Sequence, residues 1–168
     1  MKLNLGCGPL YIDGYVNIDD KSQFDCRVDL EADIFELDWE ENSCDEIIGS
    51  HIAMYIMGGQ DNEEKPNQMR ILLKRWYSWL KPGGKLIMET SNLKKLAQYI
   101  VETDNAWDIN SSKGLKSIFG WENTYGHKWS WCPETLTPLF KYAGFSKIEI
   151  GDGYFHKGPR NFLIVGTK

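Results

Sequence analysis

Apolar residues follow two rhythms along this chain. Short runs bounded by polar or glycine turns occur at Lys2–Leu5, Tyr15–Asp19 and Cys26–Leu30, and again after Asp45 up to Ser50 and His51. Runs of this length read as buried strands of a parallel sheet. From Lys65 to Leu80 the rhythm becomes helical, with Met69, Leu72, Leu73, Trp76, Trp79 and Leu80 forming one stripe and Pro66 near the first turn. Lys81-Pro82-Gly83-Gly84 ends that helix, and Lys85–Thr90 predicts the next strand. Leu93–Glu102 and Pro133–Ala143 predict two more helices, the second stopped by Gly144. Lys147–Ile150 and Asn161–Gly166 predict two last strands, joined by a Gly-rich loop that carries His156. Strands alternating with helices make this an α/β chain.

Three stretches have no clean period. Gly58–Glu64 is a polar loop, and Glu31–Asn42 is acidic with Ile34, Phe35, Leu37 and Trp39 interspersed, which predicts a short helix or a loop tucked on the sheet. The stretch 104–132 is rich in Trp, Gly, Ser and Asn. Between Gly8 and Tyr15 only Pro9–Gly14 are available, too few for the crossover of a dozen or more residues that parallel strands usually take. An irregular connection is expected there.

Composition narrows the class. The 168 residues suit one domain, 1–168, and no repeat, linker or low-complexity tract divides them. A formal net charge of −5 gives no basic face for phosphates, so no nucleic-acid partner is expected; Lys113, Lys116 and Lys128 read as a solvated lysine face. No signal peptide and no membrane span are expected, since no apolar run approaches about 20 residues. Cys7, Cys26, Cys44 and Cys132 form no C-x-x-C pair, and reduced cysteines in a cytoplasmic protein are the expectation. No histidine pair has ligand spacing, so no metal is expected.

The chemistry begins at the N-terminus. A strand runs into Gly6-Cys7-Gly8, and the second strand ends in Asp19. Glycines let backbone approach a ligand where a Cβ would clash, and a carboxylate at a strand tip can accept hydrogen bonds from both hydroxyls of a ribose. The pair therefore reads as a holder for the nucleoside part of a cofactor, although Gly-x-Gly alone also occurs in plain tight turns.

These residues resemble motif I of the class I S-adenosylmethionine (SAM) dependent methyltransferases, with Asp19 at the place of their ribose-binding acid. The Asn42-Ser43-Cys44-Asp45 turn resembles the entry to that family's fourth strand, and Leu80-Lys81-Pro82-Gly83-Gly84 the landmark before its fifth. The resemblance continues through Tyr125-Gly126-His127-Lys128-Trp129 and Pro133-Glu134-Thr135-Leu136 to Ala143-Gly144-Phe145, nearly the whole chain, and is nearest to small bacterial methyltransferase-like proteins associated with surface-glycan biosynthesis. It implies a single Rossmann-like, doubly wound, mostly parallel sheet with an antiparallel last strand, here without an N-terminal helical cap. It implies SAM as cofactor, held by Gly6, Cys7 and Gly8 at the methionine carboxylate and Asp19 at the ribose. Asp29 and Leu30 would lie at the adenine, and Ser50 and His51 by the methionine amino group and sulfonium. A solvated or turn-capping Asp29 is the alternative. The chain departs from the family at Asn4, where an acid is common, at Leu10, where a third glycine falls, and at Met54-Tyr55, which replace a glutamate–histidine pair.

The stretch 104–132 is the expected substrate-side insertion, because it must pass above the carboxyl ends of the strands. Trp107, Phe119, Trp121, Tyr125, Trp129 and Trp131 suit a sugar or planar acceptor there, or else anchor the loop in the core. His127 is the first candidate for general base, His51 the second, and Tyr125 could orient an acceptor hydroxyl. His156 reads as a surface-loop residue. The leading expectation is methyl transfer to a small-molecule or glycan-type acceptor at oxygen. A non-catalytic SAM-binding partner or sensor is the alternative. An NAD-dependent oxidoreductase fits poorly, because its third glycine would fall at Tyr11.

Overall fold

A computed structural model describes residues 1–22, 25–103, 113–120, 126–156 and 159–168. Among them seven strands form one sheet: β1 Lys2–Leu5, β2 Val16–Asp19, β3 Leu30–Glu31, β4 Cys44–Ser50, β5 Leu80–Ser91, β6 Lys147–Asp152 and β7 Asn161–Thr167. Their order is β3-β2-β1-β4-β5-β7-β6. The first five strands run parallel, and β7 inserts antiparallel between β5 and β6, as expected. Four helices follow the strands: α1 Gln68–Trp79, α2 Leu93–Glu102, α3 Lys113–Phe119 and α4 Pro133–Ala143. A single 3-10 turn, Ala53–Tyr55, follows β4.

The strand order reverses at β1. The chain leaves β1 toward β2 and β3 on one side, then returns to β4 and β5 on the other. Such a reversal opens a crevice outside the carboxyl ends of β1 and β4. Gly6-Cys7-Gly8 and Ser50-His51 leave the sheet at those two ends.

The apolar stripe of α1 is fully used. Met69, Leu72, Leu73, Trp76 and Trp79 are all buried, and α1 packs on α4 and on β5. The helix starts later than its pattern predicts. Asn67 accepts a hydrogen bond from Arg70 N at 2.9 Å and so caps the helix, which leaves Pro66 outside its first turn. Strand β5 starts earlier, at Leu80, because Lys81–Gly84 remain beside β4 through a register shift after Cys44. Helix α4 keeps its predicted limits: Cys132 and Thr135 bond reciprocally at its start, and Gly144 ends it at φ 115°. Helix α3 has no counterpart in the apolar pattern, since a seven-residue helix is too short to show a period.

The short link from β1 to β2 is irregular, as its length requires, and a buried amide pair holds it. Asn4 and Asn17 are both fully buried, and Asn4 Nδ2 donates to Asn17 Oδ1 at 2.9 Å and to Leu10 O at 2.7 Å. Asn17 Oδ1 also accepts from Ile12 N, and Asn17 Nδ2 faces Ile12 O, Tyr15 O and Asp29 Oδ2. Asp29 is drawn into this network: Oδ2 accepts from Asn17 N at 2.8 Å and Oδ1 from the Tyr11 hydroxyl at 2.8 Å. This corrects the third strand, which is confined to Leu30–Glu31; Cys26–Asp29 lie outside it because Asp29 turns its side chain to the edge of β2.

The network predicts a stability effect. Asn17→Ala removes the acceptor of Ile12 N, one of the two acceptors of the buried Asn4 Nδ2, and the donor to Ile12 O and Tyr15 O, and should destabilise the protein by roughly 3 kcal/mol. Urea unfolding of the two proteins measures it, and a loss under about 1 kcal/mol would show that water replaces the amide.

Candidate active site

One cleft of about 940 Å³ lies along the carboxyl ends of the parallel strands, within the size range of small-molecule sites. The loop after β1 forms its floor. Gly6 has φ 58°, and a Cβ there would fall 2.2 Å from Ile52 Cγ2, so the turn tolerates only glycine. Gly8 N donates to Asp19 Oδ2 at 2.8 Å, Lys21 N donates to Asp19 Oδ1 at 2.9 Å, and Cys7 N donates to Ile18 O at 3.0 Å. The amides of Cys7 and Gly8 are thus engaged with β2 and its tip instead of facing the cleft. Each Asp19 oxygen keeps a second lone pair, and Asp19 lines the cleft with Gly6, Cys7 and Gly8.

Beside Asp19, burial, then the charge of Asp19, pushes the Cys7 thiol up to about 12. Cys7, Cys26 and Asp19 come together here, and burial, then the Asp19 charge, raises the pKa of both thiols.

The adenine-side expectation moves. Asp29 and Leu30 do not line the cleft, whereas Ala32, Asp33, Ile34 and Phe35 do. Three backbone and side-chain donors, from Asn17 first and then Tyr11, hold the Asp29 carboxyl below the usual range. Its role is to fasten β2. Asp33 follows only a few residues later in an acidic run, and no single-sequence signal separates the two.

Ser50 and His51 line the opposite wall. His51 has φ 57°, which is rare outside glycine and costs on the order of 1–3 kcal/mol. Its N–H continues the β4–β5 ladder by donating to Glu89 O at 2.8 Å, which holds the residue in that conformation. The turn aims its imidazole at the Glu89 side chain, with Nε2 3.6 Å from Oε1.

Glu89 and His156 are the residues that sequence reasoning missed. Glu89 is wholly buried. Its Oε2 accepts from Tyr154 N at 2.5 Å and Phe155 N at 2.7 Å, and its Oε1 from His156 N at 2.7 Å. Burial alone would raise its pKa, but the neighbouring His51 imidazole and the three backbone donors overcome this and hold it at about 2. Because β7 is antiparallel, its first residue Asn161 lies opposite Ser91, so the β6–β7 loop reaches the cleft. His156 is exposed in the β6–β7 loop, as its surface-loop reading has it, and also lines the cleft. Its ring centroid is 4.3 Å from that of His51, and its Nδ1 is 3.2 Å from Ser50 Oγ. Burial, then the His51 ring, lowers the His156 pKa, partly offset by Glu89. Arg160 and Asn161 complete this end.

His127 lines the cleft on the far side. Its Nδ1 is 3.0 Å from Ser117 O; a carbonyl only accepts, so Nδ1 carries the proton and Nε2 the basic lone pair. Burial lowers its pKa, against the carbonyls of Ser117 and Ile118. Tyr125, with Trp107 and Trp121, lies outside the described residues. Of the other aromatics in that stretch, Trp131 is buried with its Nε1 donating to Ala53 O at 2.9 Å, Trp129 packs on Gly58, and Phe119 is exposed. None of these three lines the cleft, where Ser117, His127 and Lys128 do.

Several solved structures are similar along 99% of the chain. One is a SAM-dependent methyltransferase from Mesorhizobium loti, with TM-score 0.65, 16% identity and 90% of its chain covered. Others come from Archaeoglobus fulgidus, with TM-score 0.61, 16% identity and 85% covered, and Methanosarcina mazei, with 0.62, 16% and 91%. The fold is that of the class I methyltransferases. No protein-family model matches the sequence, and no curated protein does. The methyltransferase fold thus stands on topology: a strand reversal at β1, an acid ending β2, and an antiparallel β7.

Glu89 makes the acid limb of stability testable. Its folded pKa is depressed, so its contribution is present above the unfolded value near 4.5 and is lost as pH falls through about 2. Glu89→Gln should cost on the order of 3 kcal/mol at pH 7, with the gap to the unmodified protein closing as pH falls from about 4.5 toward 2. Denaturant unfolding at pH 7 and pH 3 checks this; an equal gap at both would refute the ionised assignment.

Proposed function

We propose that the chain is a SAM-dependent methyltransferase that acts on a small-molecule or glycan-type acceptor at oxygen. The observation that carries the proposal is the cleft at the β1/β4 reversal, with the Asp19 carboxylate on one wall and three imidazoles on the others. The spare lone pairs of Asp19, which lines the cleft, fit the ribose of a nucleoside cofactor. When bound, SAM supplies a methyl carbon that is already electrophilic on a sulfonium.

On this reading Asp19 would accept from the ribose hydroxyls, and Ala32, Asp33, Ile34 and Phe35 would hold the adenine in place of Asp29 and Leu30. Ser50 and His51 border the methionine end. The stretch 104–132 is the acceptor side through Ser117, His127 and Lys128. His127 takes the acceptor's hydroxyl proton at Nε2 while Ser117 O holds Nδ1–H, so the tautomer needed for a base is fixed before the acceptor arrives. His51, whose Nε2 faces Asn161 Nδ2 at 3.2 Å, is the less available base. The remaining work is alignment of the oxygen behind the methyl carbon, which can supply several kcal/mol.

Two measurements test the proposal. Calorimetric titration should show micromolar binding of SAM and S-adenosylhomocysteine, about −8 kcal/mol, and Asp19→Asn, which keeps an acceptor for Gly8 N, should weaken both at least about tenfold. No binding by the unmodified protein would overturn the reading, and binding without turnover against a panel of hydroxylated acceptors would favour a non-catalytic SAM-binding module. With an acceptor in hand, kcat should be level above pH 7 and fall only below the ordinary imidazole value, because the His127 pKa is lowered. His127→Gln should abolish that limb and reduce kcat by about 10²-fold or more; an unchanged profile would assign the base elsewhere.

A further inference from the structure

We infer that His51 Nε2, His156 Nδ1 and Glu89 Oε1 form a site for one divalent metal ion of the zinc type on the wall of the cleft. The three ligand atoms lie within 4.8 Å of one another, with Glu89 Oε1 3.6 Å from His51 Nε2 and 3.8 Å from His156 Nδ1. These separations are too long for hydrogen bonds and close to the spacing a metal imposes. Bonds of about 2.0–2.1 Å at tetrahedral angles hold ligand atoms about 3.3 Å apart. Movements of a few tenths of an ångström in two imidazoles close the set around an ion.

His156 Nδ1 lies 3.2 Å from Ser50 Oγ, a partner that an ion displaces. Asn161 Nδ2 donates to His156 O at 2.8 Å, which fixes the amide orientation and points its other N–H at His51 Nε2, 3.2 Å away. His51 Nε2 therefore carries its lone pair unprotonated, and an ion takes that lone pair by displacing the Asn161 N–H. Glu89 Oε1 accepts one backbone N–H and keeps a second lone pair toward the imidazoles. Glu89 stands behind the wall, buried, while His51 and His156 line the cleft. An ion held by all three presents its remaining coordination positions to the cleft. The left-handed backbone at His51 is an observed strain that serves this convergence.

Two imidazoles and one carboxylate suit zinc, cobalt or nickel and not the all-oxygen shells that magnesium and calcium take. The ion's chemical role rests on the methyl-transfer reading: it would coordinate the acceptor hydroxyl and lower its pKa, with the proton passing to His127. The ligand set itself does not rest on that reading.

The test uses the full chain, dialysed against a chelator and then titrated with Zn²⁺ by calorimetry and with Co²⁺ by visible absorption. One equivalent of each should bind, with cobalt giving the intense ligand-field bands of a four- or five-coordinate site. His156 is half exposed at its side chain, so His156→Ala should stay folded. It should lose at least about 100-fold in affinity, beyond the 10- to 100-fold that removal of an outer-shell partner costs. Thermal unfolding and S-adenosylhomocysteine binding confirm that the variant is intact, and His51→Ala gives an independent second loss. Absence of stoichiometric binding by the unmodified protein, or equal binding by it and both variants, would overturn the site. Metal binding without S-adenosylhomocysteine binding would uphold the site and remove the methyl-transfer reading, so the two fail separately.

Discussion

The contact on which the rest of this molecule depends is the buried amide pair Asn4–Asn17. Two neighbouring parallel strands are joined by only Pro9–Gly14 and the loop ends, without room for a helix. A connection so short exposes backbone groups that a helix would have satisfied internally. The two side-chain amides satisfy them: Leu10 O, Ile12 N, Ile12 O and Tyr15 O all meet an asparagine. The register Leu3↔Val16 and Leu5↔Ile18 follows, and with it the height at which Asp19 leaves the sheet. A shift of one residue would turn Asp19 away from the cleft and Ile18 out of the core.

That constraint explains both what was legible in the chain and what was not. The strand–glycine–strand–acid order, the α1 stripe and the Lys81–Gly84 landmark are local patterns, and each appears in the structure close to where it was read. Asn4 stood out only as a departure from a family pattern, because its purpose depends on Asn17 across the sheet. Asp29 was drawn to the cofactor by the family resemblance, with a turn-capping role as the alternative. Its carboxylate belongs instead to the amide pair, a three-dimensional competition invisible in a linear reading. Glu89 was hidden inside a predicted strand, and His156 in a loop whose direction depends on β7 being antiparallel. Among the described aromatics of that stretch, Trp131 and Trp129 anchor the chain against Ala53 and Gly58. Ser117, His127 and Lys128, before them in the chain, line the cleft.

The two ends of the cleft are built by different physics. The Asp19 end is backbone-governed, with a glycine forced by Ile52, an acid bonded to Gly8, and thiols kept neutral by burial. The backbone donors of Cys7, Gly8 and Lys21 are engaged with β2 and its tip. The opposite end is governed by one buried charge. Glu89 gathers three successive N–H groups of the β6–β7 loop and so fixes where His156 stands. The same strand residue, through its carbonyl, holds the backbone of His51.

A carboxylate kept fully buried and ionised needs a reason, since burial alone opposes its charge. Three backbone donors are enough to stabilise it, but a neutral side chain could close a surface loop with less desolvation. What the charge adds is placement. Two histidines far apart in sequence are brought to one face of one oxygen, at separations that no hydrogen bond between them explains. The loop is anchored at its backbone, leaving the imidazoles, and not the carboxylate, to meet whatever enters the cleft. Glu89 thereby sets the geometry of the reactive end from within the sheet, as Asn17 sets that of the Asp19 end.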